Sequence, residues 1–190
     1  MRARIQLPTA LALVAALLAG CGDRNMVVNV DVLSFIDPSL TRVAFGPVPA
    51  VPGGLYTGET ALLQNAEVHM IQKPNSLAKV QSVALTIAAV VADSTGSGSD
   101  TLRVYMSDSA TDPLTTPAVA TLPVDLVDGQ SDTLNVSVAG DQRVADLFDG
   151  TDLRLTVTTA LRGPASGAPL NGRVQLSTLR ATVIAGRKGL

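Results

Sequence analysis

With 190 residues, 46% of them hydrophobic, the chain is long enough to bury a sizeable core, and its 14 Lys+Arg against 16 Asp+Glu leave a net charge of −2. No basic cluster exceeds Arg187-Lys188, so the phosphate-neutralising patch that nucleic acid requires is missing, and nucleic acid is excluded as a partner. One His and one Cys leave little material for acid–base or nucleophilic catalysis, and a single His cannot build a His-based zinc site.

The chain opens with MRARIQLPTALALVAALLAG, in which Arg2 and Arg4 precede an uninterrupted apolar run from Leu11 to Leu18. That is the layout of a signal peptide. The run is well short of the roughly 20 residues that a helix needs to cross a bilayer. Directly behind it, Leu18-Ala19-Gly20-Cys21 resembles the lipobox of bacterial lipoproteins. The resemblance covers the first 21 residues only, and no family is recognised for the rest.

What the resemblance implies is specific. Residues 1–20 are a signal peptide, Cys21 becomes the acylated N-terminus, 21–25 are the lipidated cysteine and a short tether, and 26–190 form one domain. Each buried methylene contributes about 0.8 kcal/mol, so two or three acyl chains anchor a protein firmly to a membrane. Removing Arg2 and Arg4 leaves 12 Lys+Arg against 16 Asp+Glu, a net charge of −4, and no cysteine remains in the folded part. Gly22-Asp23-Arg24-Asn25 reaches about 14 Å when extended, which keeps the domain near the membrane. In lipoproteins an aspartate after the acylated cysteine goes with retention at the inner membrane. Gly22 therefore implies the outer membrane, or otherwise the outer leaflet of the plasma membrane.

The body of the chain reads as strands. In Met26–Ile36, Val28, Val30, Val32 and Ile36 share one face while Asn29 and Asp31 take the other. Phe45-Gly46-Pro47-Val48-Pro49-Ala50-Val51-Pro52-Gly53-Gly54 contains three prolines and reads as an apolar extended loop, not an inner strand. Its apolar residues Phe45, Pro47, Val48, Pro49, Val51 and Pro52 either cover the end of the domain or form a contact surface. Glu67–Ile71 reads as a strand carrying His69.

Leu77–Ala92 fits both a strand and a helical stripe, and its β-branched residues favour a central strand buried on both faces. Leu102, Val104 and Met106 alternate with Arg103 and Tyr105. Leu134, Val136 and Val138 alternate with Asn135 and Ser137, and Leu153, Leu155 and Val157 with polar neighbours. Val144, Leu147 and Phe148 at i, i+3 and i+4 predict a short helix over Gln142–Asp149. In Arg173–Ala185, Val174 and Leu176 keep one phase and Leu179, Ala181 and Val183 the other, which predicts a bulge near Ser177-Thr178. Stretches rich in Gly, Asp, Ser and Pro separate these runs.

Strands recurring with such turns predict an all-β, antiparallel β-sandwich of seven to nine strands with one short helix, of immunoglobulin-like or jelly-roll topology. Fourteen aspartates sit mostly in the predicted turns, where their own backbone hydrogen bonding explains them. Calcium candidates are the loop pairs Asp93 and Asp100, Asp128 and Asp132, and Asp149 and Asp152, though none matches a regular calcium-loop pattern. The chain has no Trp, and Phe35 and Phe148 read as core residues, leaving Tyr56 and Tyr105 to stack on a sugar. A hydrolase would require His69 to meet an Asp and a Ser in a cleft. The expectation is therefore a lipid-anchored envelope protein without catalytic residues, cofactor or metal. It would act as a structural or interaction module toward the membrane and an envelope protein partner. A glycan- or calcium-binding module is the alternative.

Overall fold

The computed structural model describes residues 25–51, 56–69, 77–163 and 166–187, with backbone alone over 56–69, 77–78 and at 187. Residues 1–24, including Cys21, and Pro52 lie outside the described residues. Nine strands appear in chain order: β1 (Met26–Asp31), β2 (Arg42–Val48), β3 (Tyr56–His69), β4 (Leu77–Thr95), β5 (Gly98–Asp108), β6 (Ala120–Leu126), β7 (Ser131–Ala139), β8 (Asp152–Arg162) and β9 (Leu170–Arg187). The helix α1 (Gln142–Leu147) lies between β7 and β8.

One sheet has the order β1-β9-β4-β7, with β2 sharing the β9 edge, and the other has β3-β8-β5-β6. All pairings are antiparallel. The first strands pair with the last, β3 with β8, β4 with β7 and β5 with β6. That nested winding of two four-strand-wide sheets is a jelly roll, which decides between the two topologies left open by alternation.

The core is the row of inward residues from both sheets: Val83, Leu85, Ile87, Ala89 and Val91 of β4, Leu102, Val104 and Met106 of β5, Leu153, Leu155 and Val157 of β8. With so few aromatics, aliphatic side chains fill the space between the sheets. β4 is central, between β7 and β9, but Ala84 and Thr86 on its outer side are exposed, so it is buried on one face and not on two.

β9 is where the predicted bulge falls. Ala88 faces Thr178 and Ala89 faces Leu176, so Ser177 is the extra residue. It restores Leu179, Ala181, Val183 and Ala185 to the same interior that Leu170, Val174 and Leu176 occupy. The bulge lies at the gap between β1, which pairs with residues 180–185, and β2, which pairs with 170–175.

Two expectations need correction, and one strand had not been read from the sequence. The first strand ends at Asp31, where a 3-10 turn, Val32–Phe35, takes over. Val32 and Ile36 are buried as expected, but the turn swings Phe35 out to 45% exposure, so Phe35 is not a core residue. The segment beginning at Phe45 is not wholly loop: Arg42–Val48 forms an edge strand on β9, with a register break between Phe45 and Val48 around the cis Gly46–Pro47 bond. Finally, Ala120–Leu126 is a strand with full alternation, which Pro123 at its middle disguises. Pro123 is tolerated because β6 is an edge strand and its N–H side has no partner strand.

The short helix forms as predicted. Asp141 caps it by accepting from the Val144 N–H at 2.9 Å, and Val144 and Phe148 are buried. Asp149, just beyond, accepts from the Val80 N–H at 2.9 Å and so fixes where β4 enters the sheet.

Candidate functional site

Three of the depressions on the described surface touch residues singled out by the sequence. One, of about 330 Å³, opens at the edge between β6 and β7 and is lined by Val91, Asp93, Asp125, Leu126, Val127, Gln130, Ser131 and Asp132. It exists because β4 pairs with β7, which brings the 93–98 turn against the 127–130 hairpin: the Asp93 N–H donates to the Gln130 carbonyl at 2.8 Å. Gly129, at φ 69, makes that hairpin tight.

Asp93 is 6% exposed. Its Oδ1 accepts from the Thr95 N–H at 3.1 Å, and its Oδ2 is buried without a hydrogen-bond partner. Burial is the main cause that raises its pKa above 3.8; hydrogen bonds from Thr95 and Ser94 oppose the rise, and the nearby Asp128 adds to it.

Asp100 does not join this recess. It is 1% exposed and points into the core, where its Oδ1 accepts from the Thr159 hydroxyl at 2.6 Å and its Oδ2 has no partner. Burial again raises its pKa, against hydrogen bonds from Thr159, Thr101 and Ala160. Its bond to Thr159 ties β5 to β8 inside the sandwich.

The loop pairs read from sequence are therefore regrouped. Asp93 is set beside Asp128, Asp125 and Asp132 and separated from Asp100. Asp132 accepts from the Thr133 N–H at 2.7 Å. Asp149 and Asp152 are at the opposite end, where Asp149 holds Val80 and Asp152 accepts from the Thr151 hydroxyl at 2.7 Å. Among the described residues, no group of three His, Cys, Asp or Glu is arranged to hold a metal ion.

The second depression, about 490 Å³, lies beside α1 and is lined by Asp108, Gln142, Arg143, Asp146, Leu147, Gly150 and Asp152. Its side chains are largely engaged. Lys79 pairs with Asp146 at 2.9 Å, Gln142 donates to the same carboxylate, and the Arg143 guanidinium donates to the carbonyls of Met106 and Pro117. His69 is opposite Asp152 in the β3–β8 register, so one pairing that a hydrolase would need is near at the level of the backbone; the His69 side chain lies outside the described residues.

The third depression, about 520 Å³, is on the outer side of the β2–β9–β4 strands, between Arg42 and Arg173 over Ala44, Ala92 and Gly172. Gly172 is required there. A Cβ would run into the Ala92 carbonyl oxygen and the Phe45 ring, which packs directly on this glycine.

The Pro-rich segment divides between interior and surface. Phe45 and Val48 are buried in the core cluster, so these two cap the sandwich and offer no outward surface. Pro47 and Pro49 are exposed and Val51 is half-buried. The tyrosines do not share a spot: Tyr56 faces Arg162, which pairs with Ser99, whereas Tyr105 is six residues further along β5, roughly 20 Å away.

Strand order and core together define the class: a jelly-roll β-sandwich. No protein-family model and no curated protein matches the sequence. Among solved structures, the chain is similar to that of infectious bursal disease virus Gx strain, at 14% identity over 87% of this chain and 38% of that one, with a TM-score of 0.39. The Gt strain structure gives 13%, 88%, 37% and 0.40, and the T13 particle of the same virus 12%, 87%, 40% and 0.38. The chain thus spans about two-fifths of the length of these proteins.

Proposed function

We propose that this is a lipid-anchored protein of the bacterial envelope that acts without catalysis, as a structural or interaction module. The observation that carries the reading is the placement of Cys21, the sole cysteine, directly behind the apolar Leu11–Leu18 run and Ala19-Gly20. Only four residues separate Cys21 from the β1 strand, so acyl chains on that sulfur hold the Met26 end of the sandwich against the lipid. Met26 and Val27, 44% and 59% exposed, are then the apolar side chains nearest the headgroups.

Met26 faces Ala185, and Phe45 faces Gly172, with twelve residues of β9 between them. That is about 40 Å of strand. When the sandwich stands on its anchored end, Pro47 and Pro49 look away from the membrane, toward a partner and not toward lipid. Gly22 directs the anchored chain to the outer membrane by analogy with lipoprotein sorting.

Mass spectrometry of the chain isolated from bacterial membranes tests the reading. The expected N-terminus is acylated Cys21, and Cys21→Ala is expected to leave the protein extractable without detergent. An unmodified residue 21, with the processed chain free in the medium, overturns it.

A further inference from the structure

We infer that β7 is a homodimer edge, pairing antiparallel with the β7 of a second copy of this chain so that two five-stranded sheets join into one. The inference concerns the folded domain and is independent of whether Cys21 carries lipid.

β7 ends its sheet. Its pairing with β4 runs from Ala84–Ala139 to Ala92–Ser131 without a register break. The Gly140 N–H donates to Val83 at 2.7 Å, and the Gln130 carbonyl accepts from Asp93 at 2.8 Å. Even-numbered residues therefore turn their backbone groups toward β4. In an antiparallel ladder the residues between them turn theirs the other way, so Ser131, Thr133, Asn135, Ser137 and Ala139 present N–H and C=O groups along the free edge.

Natural sheets blunt such edges with proline, lysine, bulges or short strands. Of the other described edges, β1 has an unbroken register and no proline or lysine but is only six residues long, and the rest carry one of these devices. β6 has Pro123, β2 has Pro47 and a register break, and β3 has three breaks in its pairing with β8. β7, Ser131–Ala139, has no proline, no lysine or arginine and no break. Its inward residues Leu134, Val136 and Val138 are also only half-buried, whereas the inward residues of neighbouring β4 are fully buried.

The strand is complementary to itself. A two-fold axis through Val136 sets Val136 against its own copy and Leu134 against Val138, extending the apolar row from one molecule into the next. On the outer side Asn135 meets Ser137, and Thr133 meets Ala139. Asp132, the strand's sole charge, comes opposite Gly140, which has no side chain. Moving the axis to Asn135 would press Asp132 onto Val138, which selects the first register. Four hydrogen-bonded residue pairs then form, about eight backbone bonds in all. An isologous contact of this kind closes at two copies.

Cysteine substitution reads this register. In the purified full chain, kept in mild detergent, Val136→Cys is expected to oxidise to a species of twice the monomer mass, because residues facing each other across a non-hydrogen-bonded pair are about 4.5 Å apart at Cα, within disulfide range. Asn135→Cys, out of register with its own copy, is expected to stay monomeric, as is the wild type under the same oxidation. Adding Asn135→Pro to Val136→Cys should abolish the link with little change in melting temperature, since the N–H it removes faces the free edge and bonds nothing in β4. A folded Val136→Cys chain that remains monomeric, or equal linking through Asn135→Cys, overturns the proposal. Should Val136→Cys not fold, sedimentation of wild type against Asn135→Pro decides: a dimer becoming a monomer supports the edge, and a monomeric wild type overturns it.

Discussion

Deleting Ser177 from β9 should leave the domain almost as stable as before, while deleting Gln175, two residues away and equally exposed, should not. Ser177 is the extra residue of the bulge: Leu176 faces Ala89 and Thr178 faces Ala88. Without Ser177 the strand runs on with regular alternation, Leu176 and Leu179 both inward and Thr178 between them, so the expected change is within about 1 kcal/mol. Without Gln175 the least costly response is for the bulge to straighten, which sends Leu176 to the outer face and Ser177 into its place. Leu176 is 3% exposed. Exchanging a buried leucine for a small side chain costs about 2–5 kcal/mol, and the alternative response is worse because it drives Arg173 into the position of Val174. At about 2–4 °C per kcal/mol for a chain of this size, Gln175 deletion should lower the melting temperature by roughly 4–20 °C and Ser177 deletion by under about 4 °C. Thermal unfolding followed by circular dichroism measures both. Equal losses, or a larger loss for Ser177, would refute the assignment of the bulge and of the two phases.

Gly172→Ala should cost about 1–3 kcal/mol, read as a lower urea midpoint, because the new methyl meets the Ala92 carbonyl and the Phe45 ring. Asp141→Ala removes the acceptor for the Val144 N–H and should cost about 1 kcal/mol in the same assay, whereas Asp141→Asn should largely keep the cap. Burial raises the Asp100 pKa above 3.8, so the folded protein holds this proton to higher pH than the unfolded chain does. Stability contributed at this site is then fully present below pH 3.8 and declines as pH rises through the raised folded value. Asp100→Asn keeps an acceptor for Thr159 and cannot ionise, so its stability relative to wild type should be higher at neutral pH than at about pH 3.5. A difference that does not change with pH would show that Asp100 does not ionise differently on folding.

Much of the architecture was legible because it is written in side-chain period. The alternation of Leu102, Val104 and Met106 and the phase change between Leu176 and Leu179 are local signals, and each appears in the fold as read. Val32 and Ile36 misled because positions four apart lie on one face of a strand and also point together from a 3-10 turn and the residue after it, so the strand's end at Asp31 left no mark. Pro47 and Pro123 hid β2 and β6, since proline forbids an inner strand but not an edge one, and edge position depends on strand order. The same dependence kept the acidic recess out of view. Asp93 and Asp100 look paired along the chain, yet β4 and β5 belong to different sheets, and it is the β4–β7 pairing that sets Asp93 beside the Asp128 hairpin.

β9 carries β1 and β2 on one side and β4 on the other, so three strands wait for a partner that is made last. Until those final residues leave the ribosome, half the domain has nothing to close on, and a chain truncated before Leu170 would keep β4 and β7 but no sheet around them. Contacts so distant in sequence make assembly late and slow. The order of synthesis thus leaves β1, β2 and β4 without their common neighbour until β9 is made.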